Sequence, residues 1–432
     1  MSEAQNHTSA GYKKARKQHL KSTKNRNPEV EVAWTPFRAA EKRYKARFPP
    51  PDLSDVLDLA TLDHSRADET CQAGWTGRSA AVQHREIMQK NKASDEGGLQ
   101  DKKAYVVPRI PGLVILPAFV PLDQQKQLVR WSIRDHARHP NKTNLDIHYA
   151  LPPEGLWDTI METKLTGQET VIQPLASTST STVPASPAPT GPRTLISNAP
   201  ASPSNFHELK TVPKPPPPPS PSARPAPARA LLRKLRWANI GWFYHWGTKQ
   251  YDFSKGKQAV DPLVRNLCRR AVESVNWGDV FGDGTDTDGW GDDPDWRKWD
   301  QTYEPDAGIV NFYQTNDTLM AHVDRSEVCH TSPLVSVSLG NAAIFLIGGL
   351  TRDEAPTPIL LRSGDVVIMS GPACRRAYHG VPRILEGTLP LHLSAGDLDW
   401  EPYAEYLKTT RININVRQVF PKDFDPGLEP TP

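Results

Sequence analysis

The sequence predicts a mainly β domain with flanking helices, a sandwich or barrel, set among segments that stay outside its core. Three observations predict this. Six short β-like runs follow one another after Pro305, namely AGIVNFYQ, TLMAHVD, LVSVSLG, AAIFLIGG, PILLRSGDVVIMS and RININVRQVF, with Gly, Pro and Asp between them. That is the punctuation of an all-β sandwich or barrel. Helical spacing of apolar residues is clearest in two stretches, about 121–137 and 261–277. Finally, 42 prolines and a hydrophobic fraction of 37% over 432 residues leave much of the chain outside any packed core.

Taken from the start, residues 1–102 are polar and weakly periodic. They read as a largely disordered region, with short helices around 35–60 at most. Residues 13–26 hold seven Lys/Arg and no acid, which suits a nuclear-localisation or nucleic-acid-contacting arm and equally a solvated tail. Folded structure is expected from 103 to 165. There IPGLVILPAF carries a buried strand bracketed by Pro111 and Pro117. PLDQQKQLVRWSIRDHA follows as an amphipathic helix (Leu122, Leu128, Val129, Trp131, Ile133), with Asp123 as a start signal.

Residues 166–229 contain 16 of the 42 prolines, Pro215–Pro219 among them. Such a segment buries too little apolar surface to offset ordering its backbone, so a flexible, partly polyproline-II insertion is expected. It serves as a spacer or, as a lesser reading, an SH3- or WW-type ligand. The main domain then runs over 230–420, with 421–432 as a tail. RWANIGWFYHWGTKQYDF suits strands joined by a turn near Gly247. The Gly/Asp-rich stretch 278–300 lacks the Glu that closes an EF-hand loop and reads as a solvated loop.

The net charge of +3 identifies no phosphate-binding surface by itself. Cys71, Cys268, Cys329 and Cys374 form no CxxC pair, which gives neither a zinc signature nor a disulfide framework and fits a reducing compartment. The first residues hold no apolar core of a signal peptide, and no run approaches the roughly 20 apolar residues that span a bilayer. An intracellular protein, in nucleus or cytoplasm with the mitochondrion left open, is expected.

Chemistry concentrates in a few places. His322-Val323-Asp324 puts an imidazole and a carboxylate on one face of an extended segment. Two His and one carboxylate on one triangular face hold Fe(II) and leave positions open for co-substrate and oxygen. The third ligand must come from elsewhere; His379 is well placed after a strand, with His330 and His392 as rivals. In Arg411–Arg417 the odd positions are polar and the even ones β-branched. Arg411, Asn413, Asn415 and Arg417 therefore share one face, while Ile412, Ile414 and Val416 pack. Two arginines on one face of a core strand are unfavourable unless they meet anions, and Arg grips carboxylates bidentately. Asn311 and Tyr313 repeat the alternation in IVNFYQ. Trp242, Tyr244 and Trp246 alternate as candidates for a base-stacking wall, with core packing as the competing use. Arg233, Lys234 and Arg236 would meet phosphates or simply end a helix in solvent.

The ordered series NFYQ, HVD, VSVSLG, AIFLIGG, SGDVVIMSG, YHG and RININVRQ resembles the catalytic core of the AlkB family of Fe(II)/2-oxoglutarate dioxygenases. LRWANIG, HVDRSE, GGLTRDEAPT and YLKTTRININVRQV resemble the homologue-1 type in particular. The likeness spans 230–420 closely and 103–160 more weakly. It implies a double-stranded β-helix (jelly-roll) core in which His322, Asp324 and His379 hold Fe(II). Asn311, Tyr313, Arg411, Asn413 and Arg417 would surround 2-oxoglutarate, Arg411 at the end chelated to iron and Arg417 at the distal carboxylate. Arg352 matches a substrate contact, and Ser326 departs from the acid that some bacterial relatives carry near the base. The implied activity uses O2 to demethylate N6-methyladenine or 1-methyladenine in DNA, mRNA or tRNA, releasing formaldehyde, succinate and CO2. A protein hydroxylase or histone demethylase on the same fold, and a non-catalytic nucleic-acid-binding scaffold, are the alternatives.

Overall fold

The computed structural model describes residues 34–71, 74–90, 102–175, 199–282, 290 and 295–427, together with 13, 14, 16 and 17. In chain order the strands are β1 (Arg85–Met88), β2 (Lys103–Val106), β3 (Leu113–Leu116), β4 (Val171–Ile172), β5 (Ala226–Pro227), β6 (Trp237–Gly241), β7 (Tyr244–His245) and β8 (Gln250–Tyr251). Then follow β9 (Ala307–Gln314), β10 (Leu319–His322), β11 (Leu334–Gly340), β12 (Ala343–Ile347), β13 (Thr357–Leu361), β14 (Val366–Met369), β15 (His379–Ile384) and β16 (Thr410–Arg417). Eight of them form a sheet in the order β1-β2-β3-β14-β11-β16-β9-β6, and four form a second, β10-β15-β12-β13. Every pairing within these two sheets is antiparallel. The sheets face each other across Leu113, Ile115, Leu334 and Met369 on one side and Phe345, Ile347, Ile359 and Val381 on the other. This is the jelly-roll sandwich that the strand punctuation and the family resemblance led us to expect.

The run PILLRSGDVVIMS divides into β13 and β14, which lie in different sheets. Gly364 makes the crossing at φ +87°, where a Cβ would stand 2.5 Å from Gln125 Nε2. β15 has no counterpart among the β-like runs read from the sequence. Its Pro382 marks HGVPRI as a poor interior strand, yet β15 lies between β10 and β12, and a register shift beside Ile344–Leu346 accommodates it.

Helices cover the outer face of the large sheet. In Pro262–Glu273, Asp261 accepts the Leu263 N–H as N-cap, proline opens the first turn, and Val264, Leu267, Cys268, Ala271 and Val272 are buried at helical spacing. Leu122–Arg130 starts from Pro121, with Asp123 in its first turn. It continues through a π-helical turn at 131–136 that brings His136 Nε2 2.9 Å from the Asn239 carbonyl. Ile412, Ile414, Val416, Val310 and Phe312 all join this helical layer, which leaves the alternate residues of β16 and β9 for the space between the sheets.

Two segments expected outside the core belong to it. Residues between 34 and 75 cover the outer face of the second sheet, where Phe37, Tyr44, Leu53, Val56 and Trp75 pack on Ile344, Leu346 and Leu360. Thr35 caps a helix over Pro36–Lys45. Buried ion pairs fasten this cover, Arg362 to Asp58 at 2.7 Å and Arg66 to Asp365 at 2.8 Å. The second segment is the end of the proline-rich stretch. The Ala201 N–H bonds Arg325 O at 2.8 Å, and Phe206 is buried with Tyr251, Val328, Val419 and Phe420. Pro215 O accepts from His245 Nε2 at 3.0 Å, and the Ser220 N–H donates to His148 Nδ1 at 3.1 Å. A few buried aromatics and main-chain bonds hold a segment that composition alone assigned to solvent.

Most of the basic run 13–26, residues 176–198 of the insertion, most of the acidic stretch 283–294 and the tail beyond 427 lie outside the described residues. No helix among the described residues is long and apolar enough to cross a membrane.

Removing one partner of a buried ion pair leaves the other uncompensated, a loss of about 3–5 kcal/mol. Asp58→Ala is therefore expected to lower the unfolding free energy by that order in denaturant melts, and a negligible change would show that Arg362 does not depend on Asp58.

Candidate metal and dicarboxylate site

β10 and β15 run antiparallel with His322 directly opposite His379. Their rings stand 4.4 Å apart between centroids, and Asp324 follows two residues on. Donor atoms of His322, Asp324 and His379 lie within 4.8 Å of one another, and these three form the one such group among the described residues. The rivals are elsewhere: His392 Nε2 bonds Gln125 Oε1 at 3.0 Å, and His330 sits half-buried near Arg375 and Arg376.

The donor set suits a divalent cation. His322 Nδ1 lies 3.0 Å from Met320 O, and His379 Nδ1 lies 3.1 Å from Ala377 O. Each ring thus gives its N–H to the main chain two residues earlier and keeps the Nε2 lone pair free. Burial, reinforced by His322, pushes the His379 pKa down to about 4, so it is neutral near pH 7. Burial alone would raise the Asp324 carboxyl, but Arg417, His379 and His322 hold it well below the usual carboxylate range. Its two oxygens are divided: Oδ1 lies 3.7 Å from His322 Nε2, and Oδ2 accepts from Arg417 Nη1 at 3.1 Å. Two imidazoles with their Nε2 atoms turned to one ionised carboxylate fit the facial triad of a non-haem Fe(II) site.

Beside the cluster lies a polar stripe. β16 pairs with β9, placing Tyr313 opposite Arg411 and Asn311 opposite Asn413, and with β11, placing Ser338 opposite Asn413. Asn413 Nδ2 donates to Ser336 Oγ at 2.8 Å and to Val337 O at 3.1 Å. Arg411 is 2% exposed. Its Nη2 reaches Ser338 Oγ at 3.0 Å, while its Nε and Nη1 are buried without a partner. Burial, only partly opposed by Tyr313 and Asp365, pushes this guanidinium down to about 10. A buried cation with two idle donors is the feature a small carboxylate would complete.

Arg417 is paired with acids instead, its Nε alone being buried without a partner. Burial works against its charge as well, but Asp324, Tyr251 and Glu327 hold it firmly protonated. Nη1 also donates to Glu327 Oε1 at 2.9 Å and Nη2 to Asn415 Oδ1 at 2.9 Å. The resemblance puts Arg411 at the iron-chelated end of the co-substrate, whereas it is Arg417 that bonds the metal-ligand carboxylate here. Arg411 lies toward the other end of β16 and keeps two buried donors without a partner. Period-2 alternation says which face a residue occupies; only the path of the His322–Glu327 loop says which end of β16 it meets.

That loop supplies residues the sequence reading did not single out. Glu327 is 1% exposed and accepts from Arg417 and from the Tyr251 hydroxyl at 3.1 Å, with Arg375 at 3.5 Å. Three residues after Asp324 it reads as an ordinary surface acid. Only the burial of its loop against β16 reveals its role.

The aromatic trio does not form one wall. Trp242 turns into the Phe206 cluster, edge-on to Phe253 and Phe420. Trp246 is 38% exposed, stacks on Trp237 at 5.2 Å and meets Tyr244 edge-on. Alternation fails because β7 is only two residues long and begins after Trp242. Burial raises the Tyr244 hydroxyl to about 12 despite its bond to Ser326. Arg352 lies against the metal-ligand strands, with Nη2 3.0 Å from Ala321 O. Arg233 and Lys234 are exposed, and Arg236 pairs with Asp317 at 3.1 Å.

Arg411→Lys replaces a fork of donors by a point charge, a loss on the order of 1.5 kcal/mol or more, about tenfold. Isothermal titration is expected to show 2-oxoglutarate binding weakened by that factor with Mn(II) binding alone unchanged; unaltered 2-oxoglutarate affinity would contradict the assignment of Arg411.

Comparison with known proteins agrees with this geometry. Residues 204–417 match the family model of the 2OG-Fe(II) oxygenase superfamily. The chain is 28% identical to the DNA N(6)-methyladenine demethylase ALKBH1A of Arabidopsis thaliana, over 89% of this chain and 96% of that protein. It is 30% identical to the nucleic acid dioxygenase ALKBH1 of Mus musculus, over 76% of this chain and 69% of that protein. With the tRNA demethylase abh1 of Schizosaccharomyces pombe it shares 29% identity, over 89% of this chain and 96% of that protein. The triad between the sheets, the arginine-lined stripe and these matches together place the chain in the 2OG-Fe(II) oxygenase superfamily, as a dioxygenase of the AlkB homologue 1 type.

Proposed function

We propose that this chain is an Fe(II)- and 2-oxoglutarate-dependent demethylase of N-methylated bases in nucleic acid, with N6-methyladenine and 1-methyladenine as leading substrates. The observation that carries it is the pairing of an ion-ready triad with a buried arginine, Arg411, whose Nε and Nη1 have no partner. Relatives named as DNA, tRNA and N6-methyladenosine RNA demethylases support the choice of substrate.

In this reading His322, Asp324 and His379 hold the iron. Bound iron with 2-oxoglutarate and O2 supplies the oxidation, in which 2-oxoglutarate becomes succinate and CO2 and a hydroxylated N-methyl group leaves as formaldehyde. The chain's own residues bind and orient. Arg417 keeps Asp324 ionised with one oxygen turned to the imidazoles. Arg411, with Tyr313, Asn311 and Asn413 along the stripe, receives the far carboxylate of the co-substrate. Tyr251 and Glu327 brace Arg417 from behind.

A base must leave its stack, or already be single-stranded, to reach a site between two sheets. Trp246, exposed beside the half-buried Tyr244, offers an aromatic face, and one base stacked there contributes roughly 1–3 kcal/mol. Arg325, next to Asp324, and Lys249, at the tip of the β7–β8 hairpin, are exposed cations suited to phosphate.

Anaerobic loading with Fe(II) and 2-oxoglutarate, then exposure to air with a panel of methylated DNA and RNA oligonucleotides, tests the proposal by mass spectrometry. At least one substrate is expected to lose its methyl group with equal release of formaldehyde and succinate, and Asp324→Ala is expected to abolish both. Succinate release that no oligonucleotide alters, or demethylation that survives Asp324→Ala, would overturn it.

A further inference from the structure

β10 is the outermost strand of its sheet, so the main-chain groups along its open side have no neighbouring strand to pair with. At Ala321, the residue before His322, two side chains engage the main chain instead. Glu41 Oε1 accepts the Ala321 N–H at 2.6 Å, and Arg352 Nη2 donates to Ala321 O at 3.0 Å. Both main-chain polar groups of Ala321 are thereby held by residues distant in the chain.

Each of the two is itself fixed. Glu41 is 4% exposed and shares the buried face of the Pro36–Lys45 helix with Phe37 and Tyr44. Its second oxygen receives Arg38 Nη1 at 3.0 Å. The Arg352 guanidinium carbon lies 5.0 Å over the ring of Tyr378, the residue before His379, and the Arg352 carbonyl accepts the Phe37 N–H at 3.1 Å. Tyr378 in turn exchanges main-chain bonds with Gly348 and Gly349 at 2.8 Å. The residues preceding the two imidazoles are thus joined through Arg352, and Glu41 closes the join from the N-terminal cover.

We propose that Glu41 is a positioning residue of the metal site, acting with Arg352 to hold β10 at the distance from β15 that brings His322 to His379 and Asp324. Neither residue touches a donor atom; both act through the main chain of Ala321. Burying a carboxylate against main chain is unfavourable unless its oxygens are used, and one Glu41 oxygen is used on the edge strand. Because β10 is short and its register with β15 shifts between Leu319 and His322, sheet pairing alone leaves His322 loosely placed. The inference rests on the metal-site reading above, and its test separates the two.

The test uses the full chain without iron, titrated with Co(II) and followed by visible absorption, with a thermal melt of every variant. Wild type is expected to bind Co(II), and His322→Ala to lose it. Glu41→Ala is expected to weaken Co(II) binding about 10–100-fold, the usual loss for a group that orients a ligand. Glu41→Gln keeps an oxygen acceptor and is expected to stay close to wild type. Val56→Ala, a fully buried residue of the same cover, is expected to lower the melting temperature and leave Co(II) affinity unchanged. Should Glu41→Ala fail to fold, Arg352→Ala at an exposed side chain carries the same expectation of weakened binding. Wild-type affinity in a folded Glu41→Ala or in Arg352→Ala, a Glu41→Gln as weak as Glu41→Ala, or equal loss in Val56→Ala overturns the proposal. If Co(II) binding survives His322→Ala, the metal-site reading itself falls and takes this one with it.

Discussion

The antiparallel register of β10 on β15, with His322 facing His379, is the constraint on which the rest of the site depends. Cross-strand neighbours lie about 4.5–5.5 Å apart at Cβ, close enough for two imidazoles to share one ion. Asp324, two residues beyond, completes the group as the chain leaves the strand. A slip of one residue in either strand would turn one imidazole to the opposite face and dissolve the cluster. An edge strand is the easiest to slip, which gives the N-terminal cover a significance beyond shielding apolar surface. It lies over the second sheet through Phe37, Tyr44 and Val56, and is fastened by the Arg362–Asp58 and Arg66–Asp365 pairs.

Charge is distributed just as unevenly as position. Two guanidiniums occupy one strand face, both nearly sealed from solvent. Arg417 is surrounded by Asp324, Glu327 and Asn415, while Arg411 has a serine hydroxyl and two idle donors. The first arrangement sets the ionisation and aim of a ligand carboxylate. The second leaves a desolvated cation short of an anion, an arrangement that is unfavourable in the protein alone. One end of the stripe is paired mainly with acids of the protein, and the other with a single hydroxyl.

Much of this was legible in the sequence, for identifiable reasons. Buried strands alternate strictly, so RININVR disclosed its polar face, and the β-runs after Pro305 disclosed the sandwich. His379 stood out by its place after a strand, though β15 itself was hidden by Pro382. The N-terminal cover was not legible, because Phe37, Tyr44, Val56 and Trp75 are spread over loops and short helices with little period to detect. The same holds for Phe206 at the end of the proline-rich stretch. Trp242 left the aromatic wall because alternation applies only within a strand, and β7 is too short to include it. The different neighbours of Arg411 and Arg417 and the place of Glu327 depend on tertiary path, which local pattern does not encode.

A crystal structure of the chain grown anaerobically with Mn(II) and 2-oxoglutarate tests the central claim most directly. The expected result is one ion bound by His322, Asp324 and His379, with the far carboxylate of 2-oxoglutarate on Arg411 and Arg417 still paired with Asp324. An ion held by other residues, or a co-substrate whose far carboxylate lies on Arg417, would contradict it.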